Sequence, residues 1–252
     1  MILSLIIAVT ATASPLSEAA LESALGNHQG ALVMMDCESG KVERVNPDQC
    51  VQKSAPCSTF KIWNTAIGLE AGILTSPDQP FYQWDGQKRF IDAWNQDLTL
   101  RQAFAVSCVP AFQQLARKIG TQRMNTWISK LSYGDGNTSS GNDVFWLPEK
   151  GRKPLLISPD EQVQLLSKLV NGKLPFSAKT LAVLKEIMMA KKTDRGTLYG
   201  KTGTGGNTAW FVGYAESPRH TLAFACRLEG KGLTGKDARA LIEQWLTKHN
   251  LL

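Results

Sequence analysis

The spacing of apolar positions changes twice along this chain, and the order of those changes predicts its elements. Ser17-Glu-Ala-Ala-Leu-Glu-Ser-Ala-Leu25 repeats apolar residues at helical intervals and stops at Gly26-Asn27. Ala31-Leu-Val-Met-Met35 is an unbroken apolar run, which predicts a strand, and Glu38-Ser-Gly40 supplies the turn into a second strand over Val42 to Val45. From Pro77 to about Lys192 helical spacing dominates. Segments run from Leu98 to Val106, from Ala111 to Ile119 with Gly120 as the stop, and from Thr121 to Leu131 before Ser132-Tyr-Gly134. Ser158-Pro159-Asp160-Glu161 opens another helix with a capping box and a proline at the first position. Between them, Asp135 to Ile157 is rich in Gly, Asn and Pro and predicts a long loop of the kind that carries function. Beyond Gly196 the apolar runs become strand-like again. Thr208–Ala215 and Thr221–Arg227 predict two buried strands, and the chain ends in an amphipathic helix from Lys236 to Lys248 bearing Leu241, Ile242, Trp245 and Leu246.

Strands near both ends with helices between them predict an α+β fold. The expected architecture is an antiparallel β-sheet flanked by N- and C-terminal helices, with an inserted, mostly helical subdomain at about 77–192. A crevice between sheet and helices is the natural place for a site.

Composition narrows the function without naming it. The 252 residues are 43% hydrophobic and 20% charged, as in an ordinary globular enzyme. The formal net charge of +6 is scattered over groups such as Lys150, Arg152, Lys153 and Lys191, Lys192, Arg195. With no long basic run, this favours anionic small molecules over nucleic acid as partners. Met1 to Val9 is a short apolar run followed by Ala11-Thr12-Ala13, the small-residue pattern of a signal-peptidase cut. The expectation is a signal peptide over 1–13, a mature domain over 14–252, and a secreted or periplasmic location. No run is long enough to span a bilayer, so no stable membrane insertion is expected. Of the five cysteines, Cys37 and Cys50 flank the predicted hairpin and are the expected disulfide pair. There is no CxxC, and His28, His220 and His249 are isolated, so no metal site is expected.

The densest chemistry lies in Ser54-Ala-Pro-Cys-Ser58-Thr59-Phe60-Lys61. If Ser58 opens a helix, Lys61 falls one turn on and on the same face. A serine hydroxyl needs an adjacent base to become a nucleophile, and a lysine qualifies only where burial lowers its pKa. No histidine stands in a context that suggests a Ser-His-Asp arrangement. Two further segments carry hydroxyls: Ser107-Cys108-Val109, at a break between helices, and Lys201-Thr202-Gly203-Thr204-Gly205, which leads into a predicted strand. A strand edge with a glycine can offer backbone groups to an extended ligand.

Ser58-Thr-Phe-Lys61, Ser107-Cys-Val109, Tyr133-Gly-Asp135, Phe145-Trp146, Leu156-Ile-Ser158 and Lys201-Thr-Gly203, in this order, make the chain resemble the penicillin-recognising serine enzymes. Trp94-Asn-Gln-Asp-Leu98 and Arg239 add to the likeness. A middle motif ending in valine, and a tryptophan in the loop, make it most similar to the class D (oxacillinase-type) serine β-lactamases. The resemblance implies β-lactam hydrolysis, antibiotic resistance, and a small-molecule β-lactam as partner. It implies Ser58 as acylated nucleophile and Lys61 carboxylated by carbon dioxide or bicarbonate as general base, with no organic cofactor or metal. Phe60, Val109 and Trp146 are expected to wall the lysine, the Trp146 indole N–H serving the carbamate. Ser107 would relay a proton to the leaving nitrogen, and the N–H groups of Ser58 and Thr204 would hold the oxyanion. Lys201, Thr202, Gly203 and Arg239 would receive the substrate carboxylate. Two departures stand out: Asp135 replaces the usual Asn, with a structural role expected, and the loop after Trp146 is about four residues longer than in familiar members. The rival readings are an extracellular β-lactam sensor acylated without turnover and a penicillin-binding peptidase. The expected assembly is a monomer or homodimer.

Overall fold

The computed structural model describes residues 16, 17, 21 and 23–252. The expected signal peptide lies outside the described residues, as do Glu18, Ala19, Ala20 and Glu22 of the expected first helix.

The main sheet has six strands: β1 (Gly30–Asp36), β2 (Val42–Val45), β5 (Met189–Lys192), β6 (Thr197–Gly205), β7 (Thr208–Glu216) and β8 (Thr221–Glu229). Their order is β2-β1-β8-β7-β6-β5, and every pairing is antiparallel. A second, two-stranded sheet pairs β3 (Pro80–Tyr82) with β4 (Leu98–Thr99). The helices are α1 (Pro47–Cys50), α2 (Lys61–Glu70), α3 (Leu100–Ala105), α4 (Val109–Ile119), α5 (Thr121–Leu131), α6 (Pro159–Val170), α7 (Ala178–Met188) and α8 (Gly235–Lys248). This is the predicted class and architecture. The helical signal expected through Lys192 ends at Met188, because Met189–Lys192 leaves α7 to pair with β6.

The central strands read as continuous apolar runs because both faces are covered. On β7, Ala209, Phe211 and Ala215 join one buried cluster with Ala238, Ile242, Trp245 and Leu246 of α8. Trp210, Val212 and Tyr214, alternating with them, join the larger cluster built with α2, α4 and α6. Ser158 caps α6 as expected: its Oγ accepts from Glu161 N at 3.2 Å, and Glu161 Oε2 accepts from Ser158 N at 2.9 Å.

The expected Cys37–Cys50 disulfide is not formed; all five cysteines are free and buried. Register explains why. Cys37 follows the C-terminal end of β1, while Cys50 Sγ donates to Leu32 O and Val45 O, a cross-strand pair near the other end of the hairpin. Five residues of strand separate those ends, roughly 17 Å, far beyond the ~7 Å Cα separation a disulfide can bridge.

Candidate active site

The segment before Ser58 is pinned to the sheet from below. The Trp210 indole N–H donates to Ala55 O at 3.0 Å. The buried Arg227 guanidinium, over the Trp210 ring, donates to Gln52 O at 2.6 Å. The chain then turns through Cys57, a non-glycine residue at φ +52°, into a 3-10 turn over Cys57–Phe60 that runs directly into α2. Left-handed backbone at such a residue costs energy and clusters at functional sites. The result places Lys61 one turn beyond Ser58, as the spacing predicts. Lys61 Nζ donates to Ser58 Oγ at 2.7 Å. Lys61 is fully buried while Ser58 keeps 9% of its surface exposed.

Burial lowers the Lys61 pKa from 10.5 to about 7, with the nearby Cys108 and Cys57 thiols opposing the shift. One wall is aromatic. The Phe112 ring lies 5.4 Å from Lys61 Nζ, and Phe60 stacks on Trp146 with centroids 5.3 Å apart. Phe112 sits on α4 one turn beyond Val109, which is only half buried at the start of that helix. The Trp146 indole N–H is buried and has no hydrogen-bond partner among the described residues. A buried unpaired donor is costly and calls for an acceptor.

β6 forms the opposite wall. A Cβ built on Gly203 would lie 3.0 Å from Pro56 O and from Thr59 Cγ2, so the strand packs directly on the Ser58 turn. β5 pairs with β6 only as far as Tyr199, so among the described residues no strand lies alongside Gly200–Gly205 on that edge. Thr204 Oγ accepts from Gly235 N at 2.8 Å, which fixes the strand end against α8. Lys201 is buried, donates to Thr202 O at 3.0 Å, and sits over the Phe104 ring. Burial, then the positive charges of Lys61 and Arg239, push its pKa well down. Lys201, Thr202, Gly200, Met188 and Arg239 line a cavity of about 160 Å³. Arg239 is tied to Glu243 by an Nε donation of 2.6 Å and to Ala190 O by one of 3.0 Å.

Ser107 occupies the break between α3 and α4 at φ +57°, half buried, with its N–H donating to Phe104 O. Its neighbour Cys108 is fully buried near Lys61. Trp94 Nε1 donates to Val106 O at 2.9 Å, holding the approach to that break. Asp135 is structural, as expected: one carboxylate oxygen accepts from Asn137 N and from Leu156 N, closing the loop that bears Trp146.

The structure thus gathers Ser58, Lys61, Gly203, Thr204 and the Phe60–Trp146 stack, with Lys201, Thr202 and Arg239 around the adjoining cavity. Among the described residues, the Ser107 hydroxyl makes no direct polar contact. Phe112, Phe104, Trp210 and Arg227 were not singled out by the sequence, where each reads as an ordinary helix or strand position.

The family model of the penicillin binding protein transpeptidase domain matches residues 30–246. The probable beta-lactamase YbxI of Bacillus subtilis (strain 168) is 36% identical over 211 residues, 82% of this chain and 77% of that protein. Beta-lactamase OXA-11 of Pseudomonas aeruginosa is 39% identical over 181 residues, 69% of this chain and 66% of its own. The crystal structure of a class D beta-lactamase from Bacillus subtilis superposes with a TM-score of 0.87 at 33% identity, covering 94% of this chain and 99% of that one. Fold, serine–lysine turn and relatives agree, and the chain belongs to the class D β-lactamases.

Proposed function

We propose that this chain hydrolyses β-lactams through an acyl-enzyme on Ser58, with Lys61, carboxylated by carbon dioxide, as the base for acylation and deacylation. The observation that carries the proposal is the fully buried Lys61 amine 2.7 Å from Ser58 Oγ. With its pKa lowered to about 7, a large fraction of that amine is neutral at physiological pH. Only a neutral amine has the lone pair to bond the carbon of carbon dioxide, releasing one proton to solvent. The Trp146 N–H, unpaired among the described residues, and the aromatic wall fit such an anion, since the first donates to it and the second keeps water out. A carbamate on Lys61 supplies a carboxylate-like base beside the hydroxyl.

In acylation, Ser58 gives up its proton towards position 61 and Oγ bonds the lactam carbonyl carbon. As the second residue of its turn, Ser58 has a backbone N–H with no acceptor inside the turn. With the Thr204 N–H, it would hold the tetrahedral oxyanion, where each donor is worth about 10²–10³-fold in rate. The ring C–N bond then breaks, and its nitrogen takes a proton relayed by Ser107. Lys201, Thr202 and Arg239 hold the substrate carboxylate through the cavity they line. Water activated at position 61 attacks the acyl carbon and restores Ser58.

Steady-state hydrolysis of a chromogenic cephalosporin tests the reading, with intact-mass detection of the acyl adduct. Turnover that vanishes in Ser58→Ala and rises with bicarbonate is the expected result. A stoichiometric burst with no further turnover would make the chain a sensor instead.

A further inference from the structure

The connection that carries Trp146 also carries charge that the reaction does not use. Beyond Trp146 the chain passes through Pro148, whose ring covers Gly205 at the end of β6; a Cβ there would lie 2.6 Å from Pro148 Cγ and 2.8 Å from Cys57 Sγ. Leu155 N donates to Phe145 O at 2.8 Å and closes the base of this loop, while Arg152 N donates to Glu149 O at 3.0 Å and forms its tip. Glu149 pairs with Arg152. Lys150 and Lys153 are exposed, and neither has a carboxylate within 4.0 Å among the described residues.

The other flank of the same strand end repeats the pattern. Gly230 N donates to Asn207 O at 2.9 Å, and Gly235 N donates to Thr204 Oγ, so the β8–α8 connection is fastened beside the β6–β7 turn. It carries Lys231 and Lys236, again exposed and unpaired among the described residues. The nearby acids are already engaged: Glu229 with Arg227, and Asp237 with the N-cap Thr234. Four lysines therefore bracket the end of β6.

Along β6 the order of groups fixes what meets this bracket. The ring carboxylate belongs at the Lys201–Arg239 cavity, and the scissile carbonyl at Ser58, opposite Gly203 and Thr204. The acyl substituent then runs on towards Gly205, between the lysines. We infer that this bracket selects β-lactams whose acyl side chain carries a second anionic group. The inference rests on the proposed use of Ser58 and names its preferred substrate class. Fixed charges of one sign around a cleft raise the local concentration and on-rate of an opposite charge, and salt screens the effect.

Benzylpenicillin and carbenicillin form a matched pair differing by one side-chain carboxylate. Their second-order acylation rates by intact mass, alongside steady-state hydrolysis, would be compared in the wild type and in Lys150→Gln/Lys153→Gln/Lys231→Gln/Lys236→Gln. The double variant at 150 and 153 serves as a second reading. The carbenicillin-to-benzylpenicillin ratio is expected to fall about fivefold in the quadruple variant, and similarly in the wild type when salt rises from about 0.01 M to about 0.5 M. The loss should appear in KM with kcat unchanged. A ratio that ignores both the substitutions and the salt overturns the inference. Because the ratio is read from acylation, it survives a failure of turnover, which would instead overturn the hydrolytic reading.

Discussion

Lys61 sits in a pocket that makes its charge expensive, and that has a cost in stability as well as a use. Its pKa is about 7 in the folded chain against 10.5 for an ordinary lysine. Below about pH 7 both folded and unfolded chains bind the proton, and the penalty of burying the cation is fully present. Between about 7 and 10.5 the unfolded chain binds more protons, so stability rises with pH and the penalty fades. Lys61→Met should therefore stabilise the protein in CO2-free buffer, by several kcal/mol and ~5 at most at pH 6, with the gain shrinking towards pH 10; urea unfolding across pH measures it. Trp146→Phe keeps the stack on Phe60 and deletes an N–H that has no partner among the described residues. Its stability should fall by about 1–3 kcal/mol, because the smaller ring leaves a cavity at a fully buried site, while kcat falls about 10- to 100-fold and the bicarbonate needed for half-maximal activity rises. At this scale the Ser58–Lys61 pair was legible because helical spacing alone brings the two together. Phe112 was not, because an aromatic on an apolar helix face carries no mark of what lies above it.

Among the elements, boundaries were legible where a side chain itself ends or starts the helix. Ser158 and Glu161 announce α6, and Gly120 separates α4 from α5. Ser158→Ala should cost about 1 kcal/mol, seen as a drop of about 2–4 °C in Tm. Gly134 is a stricter case: at φ +60°, a Cβ would overlap the Leu156 carbonyl oxygen that accepts from Asp135 N. Gly134→Ala should cost ~3 kcal/mol or more by thermal denaturation and loosen the loop that presents Trp146. β5 escaped the sequence because it is four residues long, mostly exposed and ends in Lys191-Lys192. Such lysine-rich edges suppress further pairing and leave no apolar alternation to read. β3 and β4 are shorter still, and no periodicity can be defined over two or three residues.

Across the whole molecule, the sheet is covered on both faces and draws its site from motifs far apart in sequence; Ser58 and Lys201 meet because β6 packs on the turn that opens α2. The order of the motifs made the family legible. The lysine bracket was not, because Lys150 and Lys236 become neighbours of one strand end only after folding. The disulfide expectation failed for a related reason: closeness in sequence around a hairpin says nothing of which end each cysteine occupies. With every thiol free, reductant should leave Tm unchanged, and a thiol titration in denaturant should find five reactive groups.

Those thiols also turn the protein into its own clock. Burial raises the pKa of all five, with Cys50, Cys57 and Cys226 pushed up to about 12, so in the native fold they are both shielded and protonated. A thiol-reactive dye can then label the chain only while it opens. Because Cys57 and Cys108 flank Lys61 whereas Cys226 lies in the central strand β8, their separate labelling rates would time the opening of the site against that of the sheet.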